Sequence, residues 1–364
     1  TVISITGLPD CGLALECSEN GTVSSKCCDT FSTLLQIEVQ TITLKQGMIA
    51  LVITVAALIV GFGLPSWQFL ITVALAKGLV ALGVVLLLRS GLASFGQGLY
   101  YCIGAYGVGM AMNYLDWREA LVLLPFAAAC AALLAWVLGF LLARYRDIFF
   151  AMLSLALSMI MYGLLVRNPS LGGSDGFNVH APSFMWGVFA ETLSRPGVFV
   201  LTVVLVGFVL WAMQGFLRSR AGRLGPAIKD NEIRVEYLGA SAYRNIHLSY
   251  VLAAALAGLG GALSSLSIGH VDPELAFWTT SGEFIFIAVL GGTRNAYAPF
   301  LGALSLELIR TLAYQYAPNT WQIAMGVSML ALIVFLPGGL ISILNRRNAA
   351  ATSNDSSSPT GARS

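Results

Sequence analysis

The chain has 364 residues, of which 57% are hydrophobic and only 10% charged, with a formal net charge of +2 and a mean hydropathy of +0.79. Soluble globular domains carry about 25% charged residues, so this composition excludes an ordinary soluble protein. So small a net charge offers no case for nucleic acid as a partner, and membrane lipid is the expected surrounding.

Residues 1–46 are polar and lack the early apolar run of a signal peptide. They are expected to form a poorly ordered leader. Cys11, Cys17, Cys27 and Cys28 lie within it, at a spacing that is not a usual zinc pattern, so no metal site is expected. From residue 47 the chain becomes apolar. Runs long enough to cross a hydrocarbon core of ~30 Å lie at 47–64, 68–88, 97–113, 120–142, 147–167, 197–217, 248–268, 296–316 and 321–342. A shorter run at 280–292 either spans or re-enters. With it the chain makes about ten crossings, which predicts an all-α polytopic bundle over 47–345. The Ser/Ala/Asn-rich tail 346–364 is expected to be disordered.

Basic residues give the expected orientation, since loops rich in Lys and Arg stay in the cytoplasm. Arg89, Arg144, Arg146, the stretch 218–247 and Arg346–Arg347 then fall on one side, with both termini, and 168–196 falls on the other. The stretch 218–247 is a charged island between two spans. Arg218, Arg220, Arg223, Lys229, Arg234 and Arg244 face Asp230, Glu232 and Glu236 there. Leu224, Ile228, Val235 and Leu238 recur at roughly helical spacing, so short helices with one apolar face are expected, and Gly239 is placed to end one. An amphipathic, cytosol-facing element of this kind is suited to docking a partner.

Within the spans, three features carry chemistry. The run Ser90-Gly91-Leu92-Ala93-Ser94-Phe95-Gly96-Gln97-Gly98 permits either close helix packing or a broken helix. A broken helix exposes backbone groups to a solute and is tolerated only against protein or a wet cavity. Ser94, Gly96, Gln97 and, further on, Tyr106 are therefore candidate pathway residues. Lys77 lies about ten residues into its span, too deep to snorkel; it calls for a pathway, a partner carboxylate or an anionic solute. Glu283, and Glu307 with Arg310, are milder cases of charge in the apolar runs; Glu307 and Arg310 are three apart on one helix face and could simply pair.

Catalysis finds no support. GxxxxGK[ST] occurs nowhere, so this chain has no P-loop of its own. Gly172-Gly173-Ser174-Asp175-Gly176 fits G-x-S-x-G formally, but between two membrane helices it lacks the strand-to-helix turn of a nucleophile elbow. His180, His247 and His270 form no ligand pair.

Four blocks in order resemble the inner-membrane permeases of branched-chain amino acid (LIV-type) ABC importers, on the LivM-like side of the LivH/LivM family. Ser94-Phe95-Gly96-Gln97 with Gly104-Ala105-Tyr106 resembles the first, and Arg144 to Phe150 through Gly172–Gly176 the second. Gly222-Arg223, Ala227 to Glu232 and Glu236 to Gly239 resemble the cytoplasmic coupling loop. Leu290-Gly291-Gly292 through Leu336-Pro337-Gly338-Gly339-Leu340 completes the order.

The resemblance implies a permease subunit in a bacterial inner membrane. Gly222, Arg223, Ile228, Lys229, Asp230, Asn231, Glu232, Glu236 and Gly239 would couple it to an ATPase. Lys77, Ser94, Gly96, Gln97, Tyr106, Gly173, Asp175, Gly291 and Gly292 would lie on the translocation path. It implies a homologous second permease, two cytoplasmic ABC ATPase subunits holding ATP and Mg, and a periplasmic or lipoprotein solute-binding protein, with no cofactor on this chain. The solute is left open between branched-chain amino acids, urea or short amides, and aromatic or other carboxylates. A self-contained channel would have no use for the island.

Overall fold

The computed structural model describes residues 63, 67–180, 182, 195–293, 295–316 and 320–335. The leader, all but one residue of the expected first span, and the tail lie outside these. The described helices are α1 Gln68–Arg89, α2 Gln97–Leu115, α3 Ala120–Leu142, α4 Asp147–Arg167, α5 Arg195–Arg218, α6 Arg220–Asp230, α7 Glu232–Tyr237, α8 Ala242–Ile268, α9 Trp278–Gly291, α10 Ala298–Tyr316 and α11 Trp321–Phe335. Five of them (α1, α3, α4, α5 and α8) are long and apolar enough to cross a membrane by length and composition. The expected runs at 120–142 and 147–167 coincide with α3 and α4. The run at 248–268 begins six residues late, because α8 starts at Ala242 and absorbs the end of the charged stretch.

The bundle is organised around α8, which packs on α1, α2 and α3. The middle of its buried face is rich in small residues, Ala253, Ala254, Ala257, Gly258, Gly260, Gly261 and Ala262. In lipid no hydrophobic drive pulls helices together, so contact depends on backbones approaching closely enough for dispersion to act. A Cβ on Gly261 would overlap the Tyr101 carbonyl, and one on Gly104 the Gly258 carbonyl. The opposite extreme is α3 and α4, whose Leu133, Trp136, Phe140, Phe149, Met152 and Leu164 point outward, as lipid or another membrane subunit requires.

One end of the bundle carries Arg89 and the island, and is the basic end. At the far end, Pro169–Leu171 forms a 3-10 turn, and strand β1 (Phe177–Asn178) pairs antiparallel with β2 (His270–Val271). After β2 the chain turns inward through a second 3-10 turn, Pro273–Ala276. The Ser158 hydroxyl donates to the Ala276 carbonyl at 2.7 Å, and Ser158 lies about 16 Å along α4 at 1.5 Å per residue. Helix α9 therefore starts inside the bundle. Its 14 residues extend about 21 Å, too short to cross alone. The run at 280–292 is thus a half-length helix completed by a re-entrant connection. The Gly291 backbone then packs on Ala298 and Pro299, and α10 returns to the far end, where its last turn and Trp67 line one groove.

Candidate functional site

The island folds as two short helices, each with its own N-cap. Ser219 Oγ accepts from Gly222 N at 3.4 Å, and Asn231 Oδ1 accepts from Arg234 N at 2.9 Å. Such caps satisfy backbone donors that a helix start leaves unpaired. Gly239, at φ +84°, follows α7 in the left-handed conformation that closes a helix. Gly222, Gly225, Ile228 and Val235 face the bundle. A Cβ at Gly225 would crowd the Ser90 hydroxyl, so this glycine lets the island sit against the end of α1. The expected single apolar face is only partly realised. Ile228 and Val235 are buried, but Leu238 is 81% exposed, with Tyr237 at 89% and Ile233 at 67%. The inward residues are spent on packing, and the free apolar surface is Ile233, Tyr237 and Leu238.

Arg146, in the α3–α4 connection, clamps the island. Its Nε donates to Glu232 Oε2 at 2.9 Å and its Nη2 to Glu232 Oε1 at 2.7 Å, a bidentate pair. The hydrogen bonds from Arg146 hold the Glu232 carboxyl below its ordinary value. Lys229 lies against Gly91, and Arg223 Nε donates to the Arg218 carbonyl, while Arg223, Asp230, Asn231 and Glu236 remain exposed.

The connection between α1 and α2 reverses the chain direction and is largely buried, with Ser90, Leu92 and Ser94 all 5% exposed or less. Side-chain hydroxyls replace the missing helical bonds. Phe95 N donates to Ser154 Oγ at 3.1 Å, Gly96 N to Ser94 Oγ at 3.3 Å, and Gly98 N to Ser281 Oγ at 2.9 Å. The last bond ties the first turn of α2 to the first turns of α9. A Cβ on Gly98 would lie 2.7 Å from that hydroxyl, so glycine is required for the contact. The neighbouring Gln97 is fully buried, with neither amide atom hydrogen-bonded, and the Tyr106 hydroxyl likewise has no partner.

The third feature is a buried tetrad of charges. Lys77 Nζ lies 3.0 Å from Glu283 Oε1 and 3.1 Å from Glu307 Oε2. Arg310 Nη2 lies 2.7 Å from Glu283 Oε2, and its Nη1 3.5 Å from Glu307 Oε2. Two cations face two anions, so the cluster is neutral, which makes charge tolerable at this depth. Lys77 thus has carboxylate partners within its own chain, on α9 and α10, and the expected Glu307–Arg310 pairing is the longest link in the same network. Glu283 is the member that sequence reasoning undervalued. It lies 206 residues from Lys77, and only the rule that intramembrane charges pair could have linked them.

The remaining expected path residues do not converge with the tetrad. Gly173 and Asp175 sit on the turn before β1, where Asp175 is exposed and accepts from Ser174 Oγ at 3.0 Å. Gly291 packs on the start of α10, and Gly292, at φ +99°, ends α9. Of these, Gly291 and Gly292 mark the end of the re-entrant passage, and Gly173 and Asp175 lie in the α4–α5 connection.

A bundle of long apolar helices, a half-length helix reached by re-entry, and a capped charged island at one end define a polytopic membrane protein of the permease class. Residues 66–336 match the model of the family described as branched-chain amino acid transport system / permease component, and the chain belongs to that family. It is 28% identical to the high-affinity branched-chain amino acid transport system permease protein LivM of Escherichia coli K12, over 85% of this chain and 79% of that protein. It is 26% identical to BraD of Pseudomonas aeruginosa, a permease protein of the same description, over 74% of this chain and 93% of that protein. The guanosine ABC transporter permease protein NupP of Bacillus subtilis is 25% identical over 59% of this chain and 64% of its own length. No solved structure matches the chain.

Proposed function

We propose that this chain is the translocation subunit of an ATP-driven importer that carries branched-chain or related amino acids inward, beside a homologous second permease. ATP with Mg is hydrolysed on two cytoplasmic ATPase subunits, and a periplasmic or lipoprotein binding protein delivers the solute. The chain itself holds no cofactor, and both its termini are cytoplasmic. One observation carries this reading. The island is rigidly mounted through caps, the Arg146–Glu232 clamp and its buried glycines, yet it leaves Ile233, Tyr237 and Leu238 uncovered. Exposed apolar and aromatic side chains on a rigid, charge-rimmed element are the anchors expected of a protein interface. A chain without a P-loop has need of such a partner.

The test is Tyr237→Asp and Leu238→Asp in the complex reconstituted with its ATPases and binding protein. A buried aromatic anchor is worth at least ~2 kcal/mol, so ATPase association should weaken about 30-fold or more. Leucine uptake should stop while the melting temperature of the permease is unchanged. Unchanged ATPase association and uptake in both variants would refute the docking role. Import of guanosine in place of leucine by the wild-type complex would move the solute to the nucleoside class named for NupP.

A further inference from the structure

A groove of about 540 Å³ opens between α1 and α10 at the far end of the bundle. Its walls are Trp67, Phe69, Leu70, Leu308 and Leu312, and two of its residues, Glu307 and Arg310, belong to the charge tetrad. Pockets of 300–1,000 Å³ with mainly apolar walls and a few convergent polar groups are the usual form of small-molecule sites. Here the charged groups are one carboxylate and one guanidinium, joined by the longest link of the tetrad at 3.5 Å, with the polar Thr311, Tyr314 and Gln315 beside them. Arg310 Nε has no hydrogen-bond acceptor.

We propose that this groove receives an apolar α-amino acid as its zwitterion. The ligand carboxylate is taken by the Arg310 guanidinium, its ammonium by Glu307, and its side chain lies against Leu70, Leu308 and Leu312. Charge complementarity selects this occupant. A ligand with one positive and one negative end enters a neutral tetrad without changing the net charge of the bundle, whereas a free anion or cation would leave an uncompensated charge at a depth where that is costly. The ligand's two ends match the two partners joined by the longest link of the tetrad. Lys77 then plays a supporting part: paired with Glu283 and Glu307, it balances their charge and does not touch the solute. The site deepens the proposed amino-acid importer and rests on that reading.

The experiment uses the intact complex in nanodiscs, without binding protein or nucleotide, and measures equilibrium binding of radiolabelled L-leucine. Competition follows with leucinamide, which lacks the carboxylate, and N-acetyl-leucine, which lacks the ammonium. Saturable leucine binding is expected, displaced at least tenfold more weakly by either blocked analogue. Leu308→Trp, which fills the groove and leaves all four charges in place, should weaken binding more than tenfold while the complex stays assembled by size exclusion. Leucine binding unaltered by Leu308→Trp would overturn the proposal. So would loss of the second permease in that variant, or a tightly held phospholipid that leucine fails to displace, because the groove would then seat a helix or a lipid. If the wild-type complex imports no amino acid even with its binding protein present, the importer reading fails first, and the two failures are distinct.

Discussion

The tetrad inside the bundle and the Arg146–Glu232 clamp on the island are built from the same side chains at nearly the same distances, yet they do different work. Members of the tetrad have side chains 10–21% exposed, and each charge there depends on the others for tolerance by the interior. The clamp's side chains are 28% and 32% exposed, so water screens the pair and would solvate either partner alone. Buried pairing is thus a condition of the fold, whereas the clamp orients a surface. Identical contact distances carry different energies according to the medium around them.

The largest expected effect tests the neutrality of the tetrad. Glu283→Gln leaves two cations facing one anion, and removal of one partner from a buried pair costs about 3–5 kcal/mol. The variant should lose most of its monodisperse protein in detergent. Adding Lys77→Met restores one cation against one anion, and the double variant should recover much of the lost thermal stability. Equal melting temperatures for single and double variants would mean that the cluster is not coupled by charge.

Next is packing where the starts of α2 and α9 meet. Gly98→Val would drive a branched side chain into Ser281 Oγ and the Leu275 carbonyl. Overpacking of this kind costs about 1–3 kcal/mol and should lower the melting temperature by several degrees. A variant as stable as wild type would show that α2 and α9 are not in contact through that turn.

The smallest effect is expected at the clamp. Arg146→Met should lower stability by no more than about 1 kcal/mol, with a larger loss of ATP-coupled uptake because the island is no longer held in register. The pH dependence has a definite sign. Arg146 depresses the Glu232 carboxyl below 4.5 in the folded chain, so the pair's contribution is present above that ordinary value and disappears as pH falls through the depressed one. The difference in melting temperature between wild type and Arg146→Met should therefore be steady near pH 7 and vanish in acid. A difference that grew on acidification would show that Glu232 is not the group held.

Orientation can be tested on the same two regions. An introduced cysteine replacing Ser174 should be labelled in intact cells by an impermeant thiol reagent, in a background without other cysteines, and one replacing the exposed Arg244 only after lysis. The reverse pattern would invert the proposed topology.

Hydropathy and charge were enough to determine the all-α bundle, the bounds of α3 and α4, and the island with its two short helices. These follow from local chemistry: an apolar run of the right length has one stable form in lipid, and caps and glycines act within a few residues. The seriate blocks also carried the family. What lay beyond the sequence was every arrangement requiring distant segments to meet. Spacing alone assigned Leu238 to the same face as Val235, but the chain turns at the end of α7 and exposes it. Periodicity left the run at 280–292 open, because its half-length form depends on the re-entrant turn at Pro273–Ala276 and on the Ser158 hydroxyl of another helix. Lys77 announced that something must compensate it, and only the tertiary structure chose Glu283 and Glu307. Burial forbids a lone charge, which a sequence can reveal, but it does not say which of several remote carboxylates the packing will bring within 3 Å.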